Sequence, residues 1–388
     1  MALPISYNLR NLRQRPLSTL ATALGIALVV AVLIGALALA AGFQAALVET
    51  GSPANAMVLR VGADGEISSS VTRDAAAILR ALPDVAAGPD GRPLLSQDMV
   101  VLTNLDRRGQ PGSSNVTVRG IDPAGLTLRP DVRIVEGRMF TAGTDEVIVG
   151  HRLPRRFADT ELGDRLRFNQ REFTVVGHFE AGGSAFESEI WGDNAVLMPA
   201  LDRETFQSVT FRMRDPARLP QLERQLEADP RLGVQVQSER AFYAAQSQLL
   251  ATVIRLAGIL VTLVMAVGAI FGAMNTMFAA VDARTREIGV LLTLGFSPGA
   301  VMLSFVIESV LLALAGGALG CLLALPVNGI TTGTTNWSSF SELAFSFRVT
   351  PAALVAGMVF AAAMGLVGGL LPARRAARQP LAASLRAK

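Results

Sequence analysis

Long apolar segments and one polar block alternate along the chain, and this pattern predicts a membrane protein that carries a large domain outside the bilayer. A membrane helix needs about 20 predominantly apolar residues. Four stretches reach that length with few or no charged residues. We place the spans at residues 17–42, 248–281, 299–327 and 351–372, the second including an extramembrane stalk. Most charged residues lie between the first two spans, so residues 43–247 are expected to form the soluble domain.

Short arginine-rich flanks orient the predicted helices, because positively charged flanks stay on the cytoplasmic side of a membrane. Arg10, Arg13 and Arg15 precede the first span, and Arg284 and Arg286 follow the second. The segments expected in the cytoplasm, both termini included, are 1–16, 282–298 and 373–388. The segments expected in the periplasm are 43–247 and 328–350.

The first 42 residues allow two interpretations. A cleaved signal peptide has an apolar core of about 7–15 residues. The run from Leu17 to Gly42 is longer and favours a retained helix. Before it, Ile5, Leu9 and Leu12 share one helical face, which predicts an amphipathic helix over residues 1–16 at the membrane surface. A frayed basic terminus is the alternative.

The polar block has the hydrophobic patterns of a mixed α and β domain. Strand-like runs at Met57–Val61 and Ser208–Met213 each precede a short helix, the first capped by Thr72 and the second opened by Asp215. Strand patterns dominate residues 115–200. The predicted fold class is therefore membrane α-helical, with four transmembrane helices, plus an α+β periplasmic domain whose α/β lobe carries an inserted β-rich lobe.

Local signals also predict where the long helices begin and end. Ser297 and Thr350 each precede a proline and are expected to cap the third and fourth spans. Pro372 is expected to end the fourth helix, because the residue before a proline avoids the helical region. Ser238 is expected to begin a helix that continues from the soluble domain into the second span. Such a continuous helix is a rigid connection between the two.

The composition excludes several kinds of chemistry. The only lysine is Lys388, so the sequence has no phosphate-binding P-loop. Cys321 is the only cysteine, which excludes an intrachain disulfide and a cysteine-based zinc site. His151 and His178 do not have the spacing of a metalloprotease motif. The pI near 9.7 arises mainly from the flanks of the spans. We therefore predict no catalytic residue, no metal site and no nucleic-acid partner.

Glu308 is an unusual residue, because it lies within the third predicted span. A charged side chain at the centre of a membrane helix costs about 2.5–3.5 kcal/mol on insertion scales. The sequence leaves two interpretations open. In the first, Glu308 is a switch or a packing contact with another helix. In the second, its carboxylate is only accommodated, by snorkelling to the membrane surface or by local hydrogen bonding.

The predicted loop after the second span carries the most specific motif. It reads Asp-Ala-Arg-Thr-Arg-Glu-Ile-Gly from Asp282 to Gly289. This stretch resembles the E-R-T-R-E-I-G motif of the FtsX-like permeases of ABC transporters, the group of the macrolide exporter MacB and the lipoprotein-releasing permeases. The segment Leu371–Arg386 resembles the closing motif of that family, and weaker matches follow in order through the polar block. The sequence departs from the motif at Ala283, where the family has glutamate, and at Thr293.

The resemblance implies a type VII ABC permease without a fused ATPase, a non-catalytic subunit of the bacterial inner membrane. It implies two ATPase subunits as partners, a second permease chain in a homodimer or paralogous heterodimer, contact with membrane lipids, and in some members a periplasmic adaptor or membrane-fusion protein. ATP and Mg would be bound by the ATPase, and no cofactor by this chain. The candidate ATPase-coupling residues are Asp282, Arg284, Arg286, Glu287, Ile288 and Gly289. The alternative is that these charges serve only as flanking residues of the membrane helices.

The expected function is mechanotransmission. ATP binding and hydrolysis would change the shape of the periplasmic domain for the export or extraction of a lipid, lipoprotein, peptide or drug. The alternative is a non-transporting regulator that activates a periplasmic partner, as in the cell-division branch of the family. The large predicted periplasmic domain favours transport. The sequence does not identify the cargo.

Overall fold

The computed structural model describes residues 16–337 and 339–379. The predicted amphipathic helix before residue 16 and the end of the predicted tail lie outside the described residues. The chain divides into two compact units, which are described separately. The helical domain comprises the described parts of Met1–Ala41, Thr252–Ile330 and Phe347–Lys388. The sheet domain comprises Gly42–Ala251 and Thr331–Ser346.

Among the described residues, four long helices are apolar enough to cross a membrane. The helices of the chain, in order, are α1 (Pro16–Val48), α2 (Arg73–Arg80), α3 (Pro123–Leu128), α4 (Asn194–Ala200), α5 (Leu219–Glu227), α6 (Glu239–Ala283), α7 (Thr285–Thr293), α8 (Pro298–Ala324) and α9 (Pro351–Ala377). The four membrane candidates are α1, α6, α8 and α9, the last two of which begin at prolines. Ser297 and Thr350 cap these two, each accepting a hydrogen bond from a backbone N–H in the first turn.

The predicted helix end at Pro372 is wrong, because α9 continues to Ala377. A proline inside a helix removes one backbone hydrogen bond and normally disfavours continuation. Here the turn beyond it is held by packing. Ala373 and Ala376 are fully buried and belong to one apolar cluster with Ile288 and Phe305. Tertiary contacts therefore outweigh the local preference of the proline.

Small residues bring the helices of the helical domain close together. A Cβ atom placed on Gly316 or Gly320 of α8 would lie within 2.7 Å of a backbone carbonyl of α1. Gly365 of α9 packs just as closely on α8, where the Ser309 hydroxyl donates to its carbonyl at 2.7 Å. Such contacts are typical of helix packing in lipid, where small residues permit close approach of backbones.

A ten-stranded mixed sheet is the main part of the sheet domain. The strands are β1 (Asn55–Arg60), β2 (Leu95–Asp106), β3 (Ser113–Ile121), β4 (Val132–Gly137), β5 (Glu146–Gly150), β6 (Arg165–Phe168), β7 (Arg171–Ala181), β8 (Glu189–Asp193), β9 (Ser208–Arg212) and β10 (Val234–Ser238). Their order is β10-β1-β9-β2-β3-β8-β5-β7-β4, with β6 paired to β7. The pairs β3–β8 and β5–β7 are parallel, and the other pairs in this sheet are antiparallel.

The α/β part and the β-rich insert share this sheet rather than forming two. The long strand β2 joins them: its residues Leu95–Asp98 pair with β9, and Met99–Asp106 pair with β3. Helix α2 begins as predicted, with the Thr72 hydroxyl accepting from the Ala75 N–H. Asp215 caps a 3-10 turn, Pro216–Arg218, which leads into α5. A large apolar cluster runs across both parts.

The segment between α8 and α9, expected only as a loop, contains a β-hairpin. Its strands are β11 (Thr331–Thr335) and β12 (Glu342–Ser346), paired with each other. Buried Glu342 forms ion pairs with Arg107, at 2.6 Å, and with Arg156. The hairpin therefore belongs to the sheet domain, although the chain on both sides of it belongs to the helical domain.

Candidate functional site

The motif after the second span forms a break and a short helix at one end of the helical domain. Helix α6 ends at Ala283, and Arg284 precedes α7 with a non-helical backbone, φ −112° and ψ 17°. Helix α7 is amphipathic, and its buried residues Ile288 and Gly289 fix its inner face. Ile288 packs in the apolar cluster that also holds Phe305. The motif is therefore anchored by burial on one side and open on the other.

Arg284 is the centre of an ionic cluster that joins three elements. Its Nε lies 2.8 Å from Glu287 Oε2 in α7, and its Nη1 lies 3.0 Å from Glu308 Oε2 in α8. Its guanidinium also stacks over the Phe305 ring at 5.0 Å. The Arg284 and Glu308 side chains are only 12% and 6% exposed. We call Arg284, Glu287, Phe305 and Glu308 the Arg284 cluster. A buried carboxylate is stabilised by such charge-assisted contacts, so the cluster stabilises the carboxylate of Glu308, which lies in the third predicted span.

A second set of contacts joins the motif to the end of α9. Asp282 lies 3.3 Å from Arg375, whose guanidinium stacks over the Phe278 ring at 5.5 Å. The Gln379 amide donates to the Thr285 hydroxyl at 3.3 Å. A displacement of α7 would therefore act on α6, α8 and α9 together.

The six predicted coupling residues fall into three groups. Arg284, Ile288 and Gly289 face inward, and Asp282 is exposed but paired with Arg375. Arg286 and Glu287 are exposed on α7. The apolar side chains Val290 and Leu294 add to the accessible surface, with Leu294 71% exposed. We call Arg286, Glu287, Val290 and Leu294 the α7 face. Its mixture of opposite charges and exposed apolar groups suits contact with a protein surface.

A second charged cluster, which the sequence analysis did not predict, lies buried in the sheet domain. Arg119 of β3 donates to Glu66 at 2.8 and 2.9 Å and to Glu189 of β8 at 2.7 and 3.0 Å. Its Nη1 is also 3.3 Å from Asp98, and Asp98 pairs with Arg129. We call these residues the Arg119 network. Burial raises the pKa of Glu66, but the charge and hydrogen bonds of Arg119 outweigh it and hold that pKa below its ordinary value.

The described residues give no sign of a metal site. Across 16–337 and 339–379, no group of three or more His, Cys, Asp or Glu side chains is placed to hold a metal ion. His178 lies 3.0 Å from Glu136 and 2.8 Å from the Thr160 carbonyl, so both ring nitrogens have protein partners.

Comparisons with known proteins match both domains. Residues 19–229 match the MacB-like periplasmic core domain, and residues 259–381 match the FtsX-like permease C-terminal region. Together the two matches cover most of the chain.

Three relatives and one solved structure illustrate the similarity. A macrolide export ATP-binding/permease protein, MacB, of Bdellovibrio bacteriovorus is 25% identical over 92% of this chain and 57% of its own length. The uncharacterized ABC transporter permease YknZ of Bacillus subtilis is 25% identical over 71% of each protein. The pyoverdine export ATP-binding/permease protein PvdT of Pseudomonas aeruginosa is 26% identical over 64% of this chain and 39% of its own. The extracellular domain structure of YknZ from Gram-positive bacteria aligns over 47% of this chain and 100% of its own, with 14% identity and a TM-score of 0.36.

Two of these relatives are considerably longer than this chain. The chain spans about half the length of the MacB relative, 57%, and less of PvdT, 39%. The activities named for those proteins include ATP binding, for which the present 388 residues contain no P-loop.

Proposed function

This chain belongs to the FtsX-like ABC transporter permeases that carry a MacB-like periplasmic core domain, and from that premise we propose that it transmits the nucleotide state of an ATPase to the core domain. The observation that carries the proposal is the Arg284 cluster. It joins the α7 face to α8, and Arg284 directly follows α6. The proposed ATPase binds ATP and Mg, while this chain binds neither.

Helix α6 is the proposed lever. It is a single helix of 45 residues, from Glu239 in the sheet domain to Ala283 beside the motif. At about 1.5 Å of rise per residue its length is about 68 Å. A continuous helix of this length transmits a displacement at one end to the other without an intervening hinge. ATP binding must favour one of two arrangements of α6 over the other, because a ligand that favours neither arrangement cannot shift the equilibrium between them.

The proposed working unit contains two copies of the permease and two ATPase subunits in the bacterial inner membrane. The sheet domain is proposed to lie in the periplasm, with α7 and both termini in the cytoplasm, as the arginine-rich flanks favour. We propose export or extraction of a lipid, lipoprotein, peptide or drug. We propose no narrower class of cargo, because the relatives are named for different substrates. One is named for macrolide export and another for pyoverdine export.

Reversing the charges of the α7 face tests the docking role. We expect Arg286→Glu together with Glu287→Arg to weaken association with the ATPase at least about tenfold, because charge-assisted contacts each contribute about 1.5–3 kcal/mol. Because Glu287 also pairs with Arg284, Arg286→Glu alone is measured beside the double variant, so that loss of docking is separated from loss of the Arg284–Glu287 pair. Affinity is measured by titrating the purified ATPase against the permease in detergent.

An exposed arginine at the end of α9 supplies the control. Arg374→Glu changes a charge outside the α7 face and is expected to retain affinity within about twofold, since exposed charges contribute little. Unchanged affinity in the charge-reversed α7 variant, together with full ATP hydrolysis by the complex, would show that the ATPase docks elsewhere.

A further inference from the structure

The β11–β12 hairpin is joined to two membrane helices by short connections. Only residues 325–330 separate α8 from β11, and only residues 347–350 separate β12 from α9. Backbone hydrogen bonds extend the pairing of the two strands into these connections. The Gly329 N–H donates to the Phe347 carbonyl at 2.9 Å, and the Phe347 N–H donates to the Ile330 carbonyl at 3.0 Å. Because the connections are short and hydrogen-bonded, a displacement of α8 or α9 reaches the hairpin with little slack.

A buried carboxylate fastens the hairpin within the sheet domain. Glu342 of β12 is 4% exposed, and it pairs with Arg107 at 2.6 Å and with Arg156. The two arginines are held beside each other, because the Arg108 N–H donates to the Arg156 carbonyl at 2.8 Å. We call Arg107, Arg156 and Glu342 the Glu342 clasp. Charge-assisted hydrogen bonds are roughly twice as strong as neutral ones, so the clasp resists separation of the hairpin from these arginines.

Gly333, in the middle of β11, leaves the space that the clasp needs. A Cβ atom on this residue would lie 2.5–2.6 Å from the guanidinium atoms of Arg156, closer than Cβ atoms approach in proteins. A glycine inside a strand weakens it and often marks a close approach of another group. The glycine in Thr-Thr-Gly-Thr-Thr is therefore explained by the guanidinium that packs against it.

The backbone of β12 is attached as well. Arg152 Nη1 donates to the Ala344 carbonyl at 2.6 Å, and Ser188 Oγ accepts from the Ala344 N–H at 3.0 Å. The Arg152 side chain is itself held, because its Nε lies 2.8 Å from Glu187 Oε2. The hairpin is thus fixed both at Glu342 and, two residues further along the strand, at Ala344.

The hairpin and α6 are attached to different parts of the sheet domain. Helix α6 directly follows β10, and its first residue, Glu239, accepts from the Ser52 N–H at 3.0 Å. The clasp arginines instead follow β2, in the case of Arg107, and β5, in the case of Arg156. Strand β2 is the strand that joins the α/β part to the β-rich insert. Unequal displacements of the two attachments would therefore act across β2.

We propose that the hairpin is a second route of transmission beside α6, an inference that rests on the transmission function proposed above. Helix α8 carries Glu308, which pairs with Arg284, and α9 carries Arg375, which pairs with Asp282. A displacement of the motif acts on both helices, and they pass it to the hairpin and through the clasp to the β-rich insert. Glu342 is a positioning residue in this route. With two attachments, the sheet domain changes shape when the motif moves.

Hydrogen exchange of the permease with its ATPase tests the second route, by comparing the complex without nucleotide and with ATP bound to a hydrolysis-deficient ATPase. In the wild type we expect a nucleotide-dependent change at residues 152–158 as well as at residues 239–251. In Glu342→Gln we expect the change at 152–158 to be lost and that at 239–251 to remain, because the amide keeps the size of the side chain without its charge. Thr335→Ala, at the exposed end of β11, is expected to retain both changes.

Gly333→Ala provides a second variant that leaves Glu342 in place. Its methyl group displaces the flexible end of Arg156 from the clasp, so we expect a smaller nucleotide-dependent change at 152–158. A hairpin with a purely structural role would exchange faster in both variants but leave that nucleotide-dependent change as in the wild type, and this result would overturn the proposal. A wild type that responds at 239–251 but not at 152–158 would also overturn it while leaving transmission along α6 intact. No response at either segment would overturn both.

Discussion

Replacing Arg119 with methionine is expected to lower the free energy of unfolding of the sheet domain by about 3–5 kcal/mol, the cost of removing one partner from a buried ionic network. Arg119 is 1% exposed and holds the carboxylates of Glu66 and Glu189. Methionine fills similar space without charge, so the loss comes from two carboxylates left in the core without their guanidinium. Because domains are stable by only about 5–15 kcal/mol, this single change removes a large share of the stability.

Tryptophan fluorescence provides the measurement. Trp191 is fully buried and donates to Glu189 at 2.7 Å, so it reports directly on the Arg119 network. Trp337→Phe removes the other tryptophan, which is 50% exposed. Urea unfolding of the full chain in detergent is compared with Arg138→Met, which breaks an exposed pair with Glu146 and is expected to cost at most about 1 kcal/mol. A loss of less than about 1 kcal/mol for Arg119→Met would contradict the account.

The same network predicts a loss of stability in acid. Arg119 holds the pKa of Glu66 below its ordinary value of 4.5. The stabilisation from ionised Glu66 is therefore fully present above the pKa of the unfolded state and is lost as pH falls through the lower pKa of the folded state. The urea midpoint of the wild type should fall over this acid range, and in Arg119→Met the part of that fall due to Glu66 should disappear.

Replacing Arg284 with methionine is expected to give the largest functional defect, a loss of coupled ATP hydrolysis of at least about tenfold together with lower thermal stability of the helical domain. The change removes the guanidinium from Glu308, whose side chain is 6% exposed, and a carboxylate within a membrane helix costs about 2.5–3.5 kcal/mol. It also separates Glu287 on the α7 face from α8. The α7 face then keeps only apolar contacts with α8, such as those of the cluster that holds Ile288 and Phe305, and carries α8 with it less effectively.

Two further variants separate coupling from packing. Glu308→Gln keeps the size of the side chain and removes its charge, and we expect it to retain the fold while lowering coupled hydrolysis. Adding Glu308→Gln to Arg284→Met should restore thermal stability but not coupling. If the double variant recovers both, or if Glu308→Gln retains wild-type coupling across pH, the Arg284 cluster is a packing contact only.

The helix starts were predictable from the sequence because their causes are local. Ser297 and Thr350 each satisfy a backbone N–H within the first turn, so the residue and the next few positions decide the outcome. Pro372 was misread because the packing of Ala373 and Ala376 involves other helices. The hairpin Thr331–Ser346 was missed because its first strand, Thr-Thr-Gly-Thr-Thr, lacks apolar alternation.

The charged clusters were harder to predict, since their members are distant in sequence. Arg119 is 53 residues from Glu66 and 70 from Glu189, and only the pairing of β3 with β8 brings the second pair together. Glu308 carried a signal, because a carboxylate in a membrane helix requires compensation. Arg284 lies 24 residues earlier in the sequence. Its motif identified Arg284 as a candidate coupling residue, but not as the partner of Glu308.

Hydrogen exchange of the permease with its ATPase tests the central claim most directly. Amide exchange is compared without nucleotide and with ATP bound to a hydrolysis-deficient ATPase. We predict changed exchange in α7 and also at the start of α6, residues 239–251, which belong to the sheet domain. Both changes should disappear in the Arg286→Glu/Glu287→Arg variant. A nucleotide-dependent change confined to α7, with residues 239–251 unaffected, would contradict transmission along α6.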